Sequence, residues 1–148
     1  MVSIVEIRKL EELNEISGVD SLSAKLHQML IPFEDEVSYI AKGIEYALDQ
    51  SGSRGGFILV AKEENDIVGS LVMLNTNMTE YVPENLLLYV AVHESQRGKG
   101  IGTKLISKAI ELCKGDVKLH VEFDNPAKRL YERIGFQSKY ADMRYSNE

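Results

Sequence analysis

Cysteine is almost absent from these 148 residues: Cys113 stands alone. No disulfide can close within the chain, and a reducing compartment, the cytoplasm, is expected. Long apolar runs are missing too, none approaching the roughly 20 residues that span a bilayer. The N-terminus, MVSIVEIRKLEEL, carries acids where a secretory signal carries a basic region, so no membrane partner is expected. No repeat, low-complexity stretch or linker interrupts the chain, and residues 1–148 read as one domain. A basic excess is also lacking. The 17 Lys+Arg face 23 Asp+Glu, for a net charge of −6, which excludes generic nucleic-acid binding because that needs a broad basic surface.

The charge that is present is uneven. Residues 1–94 hold 6 basic and 16 acidic residues, whereas residues 95–148 hold 11 and 7. This division suits a polyanionic ligand held by the C-terminal half and a cationic partner met by the N-terminal half.

Hydrophobic periodicity orders the rest. Residues 2–8 alternate as a strand, and Lys9 to Ile16 has a helical apolar face. A short helix covers Ser23 to Leu30 before Pro32. Glu34, Asp35 and Glu36, ahead of an apolar helical stripe from Val37 to Leu48, read as the first turn of that helix, where acids complement its dipole. After the breaker-rich loop at 51–56, Phe57 to Lys62 and Ile67 to Asn75 read as an antiparallel hairpin. A polar loop from Thr76 to Asn85 leads to Leu86–Val92, seven apolar or aromatic residues in a row, the mark of a strand buried on both faces. A helix follows from about residue 101 to Lys114, with Cys113 among its packing positions. A strand over 117–123 comes next, then a helix opened by Asp124-Asn125-Pro126 and stopped at Gly135. Phe136 to Tyr145 reads as a last strand or two very short ones. Strand, helix and strand in succession imply a right-handed crossover and a parallel pair.

The stretch between the buried strand and its helix, Arg97-Gly98-Lys99-Gly100-Ile101-Gly102-Thr103, carries the chemistry. A glycine-rich turn at a helix N-terminus offers unbonded N–H groups, a positive dipole end and close approach for an anion. The phosphate loop of nucleotide-binding proteins needs Ser or Thr after Gly-Lys, and Gly100 stands there. The dinucleotide pattern needs a third glycine at 103, and Thr103 stands there. What fits is R-x-x-G-x-G, Arg97 through Gly100 to Gly102.

That pattern, between a hydrophobic strand and an amphipathic helix, resembles the acyl-CoA pyrophosphate loop of the GCN5-related N-acetyltransferase family. A second motif, Leu130-Tyr131 with Gly135-Phe136 and preceded by Asn125, resembles the family's N…LY-x-x-x-GF signature. The resemblance spans nearly the whole chain. It implies an α/β (α+β) fold with a mixed, mostly antiparallel central sheet, a parallel splayed strand pair and flanking helices. It also implies acetyl-CoA as co-substrate, no metal, and transfer to a primary amine by direct attack, with a catalytically weak acyl-CoA sensor as the alternative. Carried over residue by residue, it assigns the pantetheine arm to the backbone of Val90, Ala91 and Val92. The N–H groups of Arg97, Gly98, Lys99, Gly100, Ile101, Gly102 and Thr103 take the pyrophosphate, flanked by the side chains of Arg97, Lys99 and Lys104. Asn125 falls near the pantetheine end, and Tyr131 is the general acid that protonates the leaving thiolate.

The base departs from the pattern. Relatives carry a Glu where Leu86 stands here, so Glu84 is the first substitute, with His120 and Glu122 behind it. The Asn-to-Tyr spacing is one residue shorter than is common, which leaves the role of Asn125 open, and the short tail implies a truncated last hairpin. The expected acceptor is cationic, met by Glu34, Asp35, Glu36, Glu80 and Glu84. Its identity and the assembly, a homodimer among the options, are not encoded in any motif.

Overall fold

The computed structural model describes residues 1–147. Five strands form one sheet in sequential order: β1 (Val2–Ile7), β2 (Gly56–Glu63), β3 (Asp66–Asn75), β4 (Asn85–Val92) and β5 (Val117–Leu119). Pairing is antiparallel from β1 to β4 and parallel only between β4 and β5. The expected hairpin is β2–β3, closed by Glu64 and Asn65, with Glu63 opposite Asp66.

The sheet separates two apolar cores. Helices α1 (Leu10–Asn14), α2 (Val19–Leu30) and α3 (Val37–Ala47) cover one face, packing Leu13, Leu22, Leu26, Ile40 and Ile44 against Ile58, Val60, Val72 and Tyr89. On the other face lie α4 (Ile101–Leu112) and α5 (Ala127–Ile134), with Leu105, Ile106 and Ala109 against Leu59, Leu71, Met73 and Leu87. Strands β1 to β4 therefore supply side chains to both cores, whereas Val117 and Leu119 of β5 both pack with the α4 core. This is the mixed, helix-flanked sheet expected from the sequence. Among the described residues no helix is long and apolar enough to cross a membrane.

Several boundaries differ from the sequence reading. Helix α2 begins at Val19, four residues before the expected Ser23. Gly18, at φ +85°, makes the break from α1, and Ser23 is an interior position whose hydroxyl donates to the Val19 carbonyl at 2.7 Å. The three acids at 34–36 precede α3 instead of occupying its first turn. The strand expected over 117–123 is only Val117–Leu119. Beyond that pair β4 and β5 diverge, so Val121 and Phe123 alternate in sequence without a neighbour to pair with, and Phe123 is 91% exposed.

The strand expected within Phe136–Tyr145 does not form, because a three-residue β5 offers too little edge to extend the sheet. The tail is held by side chains instead. Tyr140 lies against Tyr81 with ring centroids 6.0 Å apart, and Asp142 sits 3.7 Å from His120.

Candidate active site

Pairing between β4 and β5 runs through Asn85–Val117 and Leu86–Lys118 and stops at Leu87–Leu119. At that same point β4 carries a bulge. Leu87 faces Met73 and Tyr89 faces Val72, so Leu88 is the extra residue. A bulge shifts the phase of the pleat. Leu87 points to the α4 core, Leu88 and Tyr89 both pack with the α1–α3 core, and Val90, Ala91 and Val92 then alternate between the two. Helix α3 leaves room for the bulge at Gly43, where a Cβ would stand 2.5 Å from a methyl of Leu88. The continuous apolar run in the sequence hid this feature, since every register of such a run looks alike.

After β4 the chain makes one 3-10 turn, Glu94–Gln96, with the His93 ring accepting from the Ser95 N–H at 3.1 Å. It then enters α4 through Gly98 and Gly100, both at φ +80°. Only glycine takes that conformation without strain, and a Cβ at either position would meet nothing within 4 Å. The first-turn N–H groups of α4 that follow have no carbonyl of their own helix to bond and stand at its positive dipole end. Gly102 differs: a Cβ there would make ordinary contacts with Leu130 at 3.6 Å and Val92 at 3.8 Å.

Of the flanking cations, Lys104 is exposed and Lys99 donates to the Gln96 side chain at 3.2 Å. The Arg97 guanidinium turns back toward the protein. It donates to the Val92 carbonyl at 3.0 Å and to the Met29 carbonyl, in the last turn of α2, at 2.8 Å.

Tyr131 lies on α5, half-buried against the α4 core. The Gly135-Phe136 step explains its setting. The Phe136 N–H donates to the Tyr131 carbonyl at 3.0 Å while Gly135 takes φ +126°, so the chain folds back over the helix end. The Phe136 ring then meets the Tyr131 ring edge-on at 6.0 Å. Burial, and secondarily the Glu122 charge, push the Tyr131 phenol up to about 12. Asn125 is committed at both ends of its amide: its oxygen accepts from the Ala127 N–H at 2.9 Å, and its nitrogen donates to Glu122 at 3.0 Å. His120 is exposed beside Asp142, its pKa lowered by burial first and by Lys118 next. Burial raises the Cys113 thiol to about 11.

Glu84 stands at the opposite end of β4 from the glycine loop. Its carboxylate accepts from the Asp116 N–H at 3.3 Å and packs on Gly115, where a Cβ would collide with it. With Asn85, which donates to the carbonyls of Lys114 (2.7 Å) and Asp116 (3.1 Å), it fastens the turn that feeds β5. Another carboxylate is nearer the splay. Asp35 accepts from the Tyr89 hydroxyl at 2.7 Å across 54 residues of sequence. Its own carbonyl bonds the His27 ring at 2.8 Å. No local pattern marks this pair. Tyr89 reads as one more apolar residue of the run, and Asp35 as one of three similar acids.

The model of a family described as "Acetyltransferase (GNAT) domain" matches residues 54–138. A mouse protein, Cysteine-rich protein 2-binding protein, is 40% identical over 57 residues, 38% of this chain, and the chain spans only 7% of that relative's length. Among solved structures, a putative acetyl transferase from Pyrococcus furiosus superposes with a TM-score of 0.68 at 24% identity, covering 99% of this chain and 100% of its own. An aminoglycoside N-acetyltransferase in complex with CoA gives a TM-score of 0.69 at 14% identity, over 99% and 95% of the two chains.

Proposed function

The chain belongs to the GNAT family of acetyltransferases, and on that premise we propose that it moves an acetyl group from acetyl-CoA to a primary amine by direct attack in a ternary complex. One observation carries the reading: the bare glycine loop of α4 lies at the C-terminal end of β4, past the point where β4 and β5 part. A pyrophosphate would sit there. The first-turn N–H groups of Ile101, Gly102 and Thr103 would hold it, and the space over Gly98 and Gly100 lets it approach the backbone. Arg97 serves by tying this loop to α2, whereas Lys99 and Lys104 supply the positive field. The backbone of Val90, Ala91 and Val92 would pair with the pantetheine amides in the gap.

Acetyl-CoA supplies an acyl group activated on sulfur; the remaining work falls to the chain. A main-chain N–H of β4 at the splay polarises the thioester carbonyl and holds the oxyanion. Tyr131, with its phenol raised to about 12, stays protonated at neutral pH and gives a proton to the departing sulfur. Asn125 mounts α5 through its cap on Ala127 and so places Tyr131. A cationic acceptor suits the acidic N-terminal half, and the aminoglycoside enzyme among the structural neighbours acts on a class of amine with that charge.

The test is a thermal shift with acetyl-CoA, followed by release of free CoA over a panel of primary amines. Ligand at a hundredfold its Kd should stabilise the fold by about 2.7 kcal/mol, and at least one cationic amine should be consumed. Binding without turnover of any amine would mark an acyl-CoA sensor, and absence of binding would reject the reading outright.

A further inference from the structure

Resting on acetyl transfer as proposed above, we propose that Asp35 is the group that receives the acceptor's ammonium and takes its proton, held for that task by Tyr89. Tyr89 lies two residues past the last β4–β5 pair, just beyond the Leu88 bulge, so it stands at the head of the splay. The bulge turns it toward the α1–α3 core, where it is 8% exposed, and its hydroxyl reaches out to Asp35. Tyr131 packs with the core on the opposite face. The acid and the carboxylate are thus supported from opposite faces of the sheet, next to the point where β4 and β5 part, which lets one group serve the incoming nitrogen and the other the departing sulfur without competing for the same space.

Asp35 is otherwise an odd residue to fix so firmly. It sits in the six-residue linker between α2 and α3 and is itself exposed. Yet His27 of α2 grips its main chain and Tyr89 of β4 grips one carboxylate oxygen, Oδ2. Oδ1 remains for a ligand. A residue whose main chain is held by one element and whose carboxylate is held at one oxygen by another, while the residue stays exposed, is preorganised for a partner arriving from outside. The charged and titratable groups around it are His27 from α2, Tyr89 from β4, Glu34 and Glu36 in the linker, and Arg144 of the tail, which feels the Asp35 charge.

The protons balance as follows. The acceptor ammonium gives one proton to Asp35, directly or through one water, and Asp35 later returns it to solvent. The freed lone pair forms the C–N bond at the acyl carbon. The C–S bond breaks with its electron pair on sulfur, and Tyr131 protonates that sulfur. Tyr131 then recovers a proton from the nitrogen, which must shed its second. Glu84, bound to the Asp116 N–H at the far end of β4, takes no part in this sequence.

The test uses the full chain and a panel of spermidine, kanamycin and an alanine-lysine peptide, taking the best acceptor. Calorimetry with CoA-loaded protein should show that acceptor binding at least tenfold weaker in Asp35→Asn, with Asp35→Glu recovering most of the loss. The acidic limb of the kcat/KM profile should flatten in Asp35→Asn, and a His27→Gln variant removes any contribution of that imidazole. Unchanged binding and a superimposable profile in Asp35→Asn would overturn the inference while leaving acetyl transfer in place. So would loss of the limb in Glu84→Gln alone. A wild-type chain that binds acetyl-CoA but neither binds nor acetylates any of the panel overturns both.

Discussion

At the scale of single residues, Tyr131 and Cys113 show how one physical cause, burial, serves two ends. Both groups are raised by it, to about 12 and about 11. For Tyr131 the shift guarantees a protonated donor, because the neutral form persists until pH rises toward 12. Tyr131→Phe keeps the ring and its contact with Phe136, so acetyl-CoA affinity should hold while kcat falls by about 10²–10⁴-fold. Wild-type turnover should show no alkaline decline from this group up to pH 10. Full activity in the variant would hand the proton to another donor. For Cys113 the same shift silences the thiol. At pH 8 about one molecule in a thousand carries the thiolate, against roughly a quarter for an ordinary cysteine. Iodoacetamide should therefore label the native chain about two hundredfold more slowly than the unfolded one, and equal rates would show the thiol to be accessible.

At the scale of elements, the loop before α4 separates two uses of glycine. Gly100 at φ +80° requires a left-handed backbone; Gly102 does not. Gly100→Ala should cost about 1–2 kcal/mol of stability and also weaken acetyl-CoA, since its methyl occupies the open space over the helix end. Gly102→Ala should leave the melting temperature and the acetyl-CoA shift nearly unchanged. Equal losses in both variants would contradict this distinction. The sequence made most elements legible, because amphipathic stripes such as Ile40, Ile44 and Ala47 and the glycine punctuation are local signals. It also placed the glycine loop and Tyr131 on the correct elements. What stayed hidden was set by pairing. Strand β5 stops at Leu119 because its neighbour turns away, the tail stays unpaired because β5 is short, and the Leu88 bulge lies in a run with no contrast between faces. Likewise Asp35 meets Tyr89 only through the packing of α2 and α3 on the sheet.

At the scale of the whole molecule, charge and architecture coincide. Residues 1–94, with 6 basic against 16 acidic residues, supply every helix on the Asp35 face, and residues 95–148 supply both helices on the Tyr131 face. With acetyl-CoA saturating, kcat/KM for the best cationic acceptor should fall as ionic strength rises, since salt screens long-range attraction. A flat or rising profile would reject steering by the acidic half. The sheet between the two cores has a further consequence. The matched family segment, residues 54–138, contains the strands from β2 onward with α4 and α5, whereas α1, α2 and α3 lie wholly before it. On the reading proposed above, the groups that would meet the acceptor and those that would handle the donor lie on separate, contiguous lengths of one polypeptide, divided by the loop at 51–55. Such a chain lends itself to recombination: exchanging the stretch before that loop with a relative's should change the amine preferred, provided the new stretch keeps the main-chain carbonyl that Arg97 bonds at Met29 and the small residue at 43 that admits the Leu88 bulge.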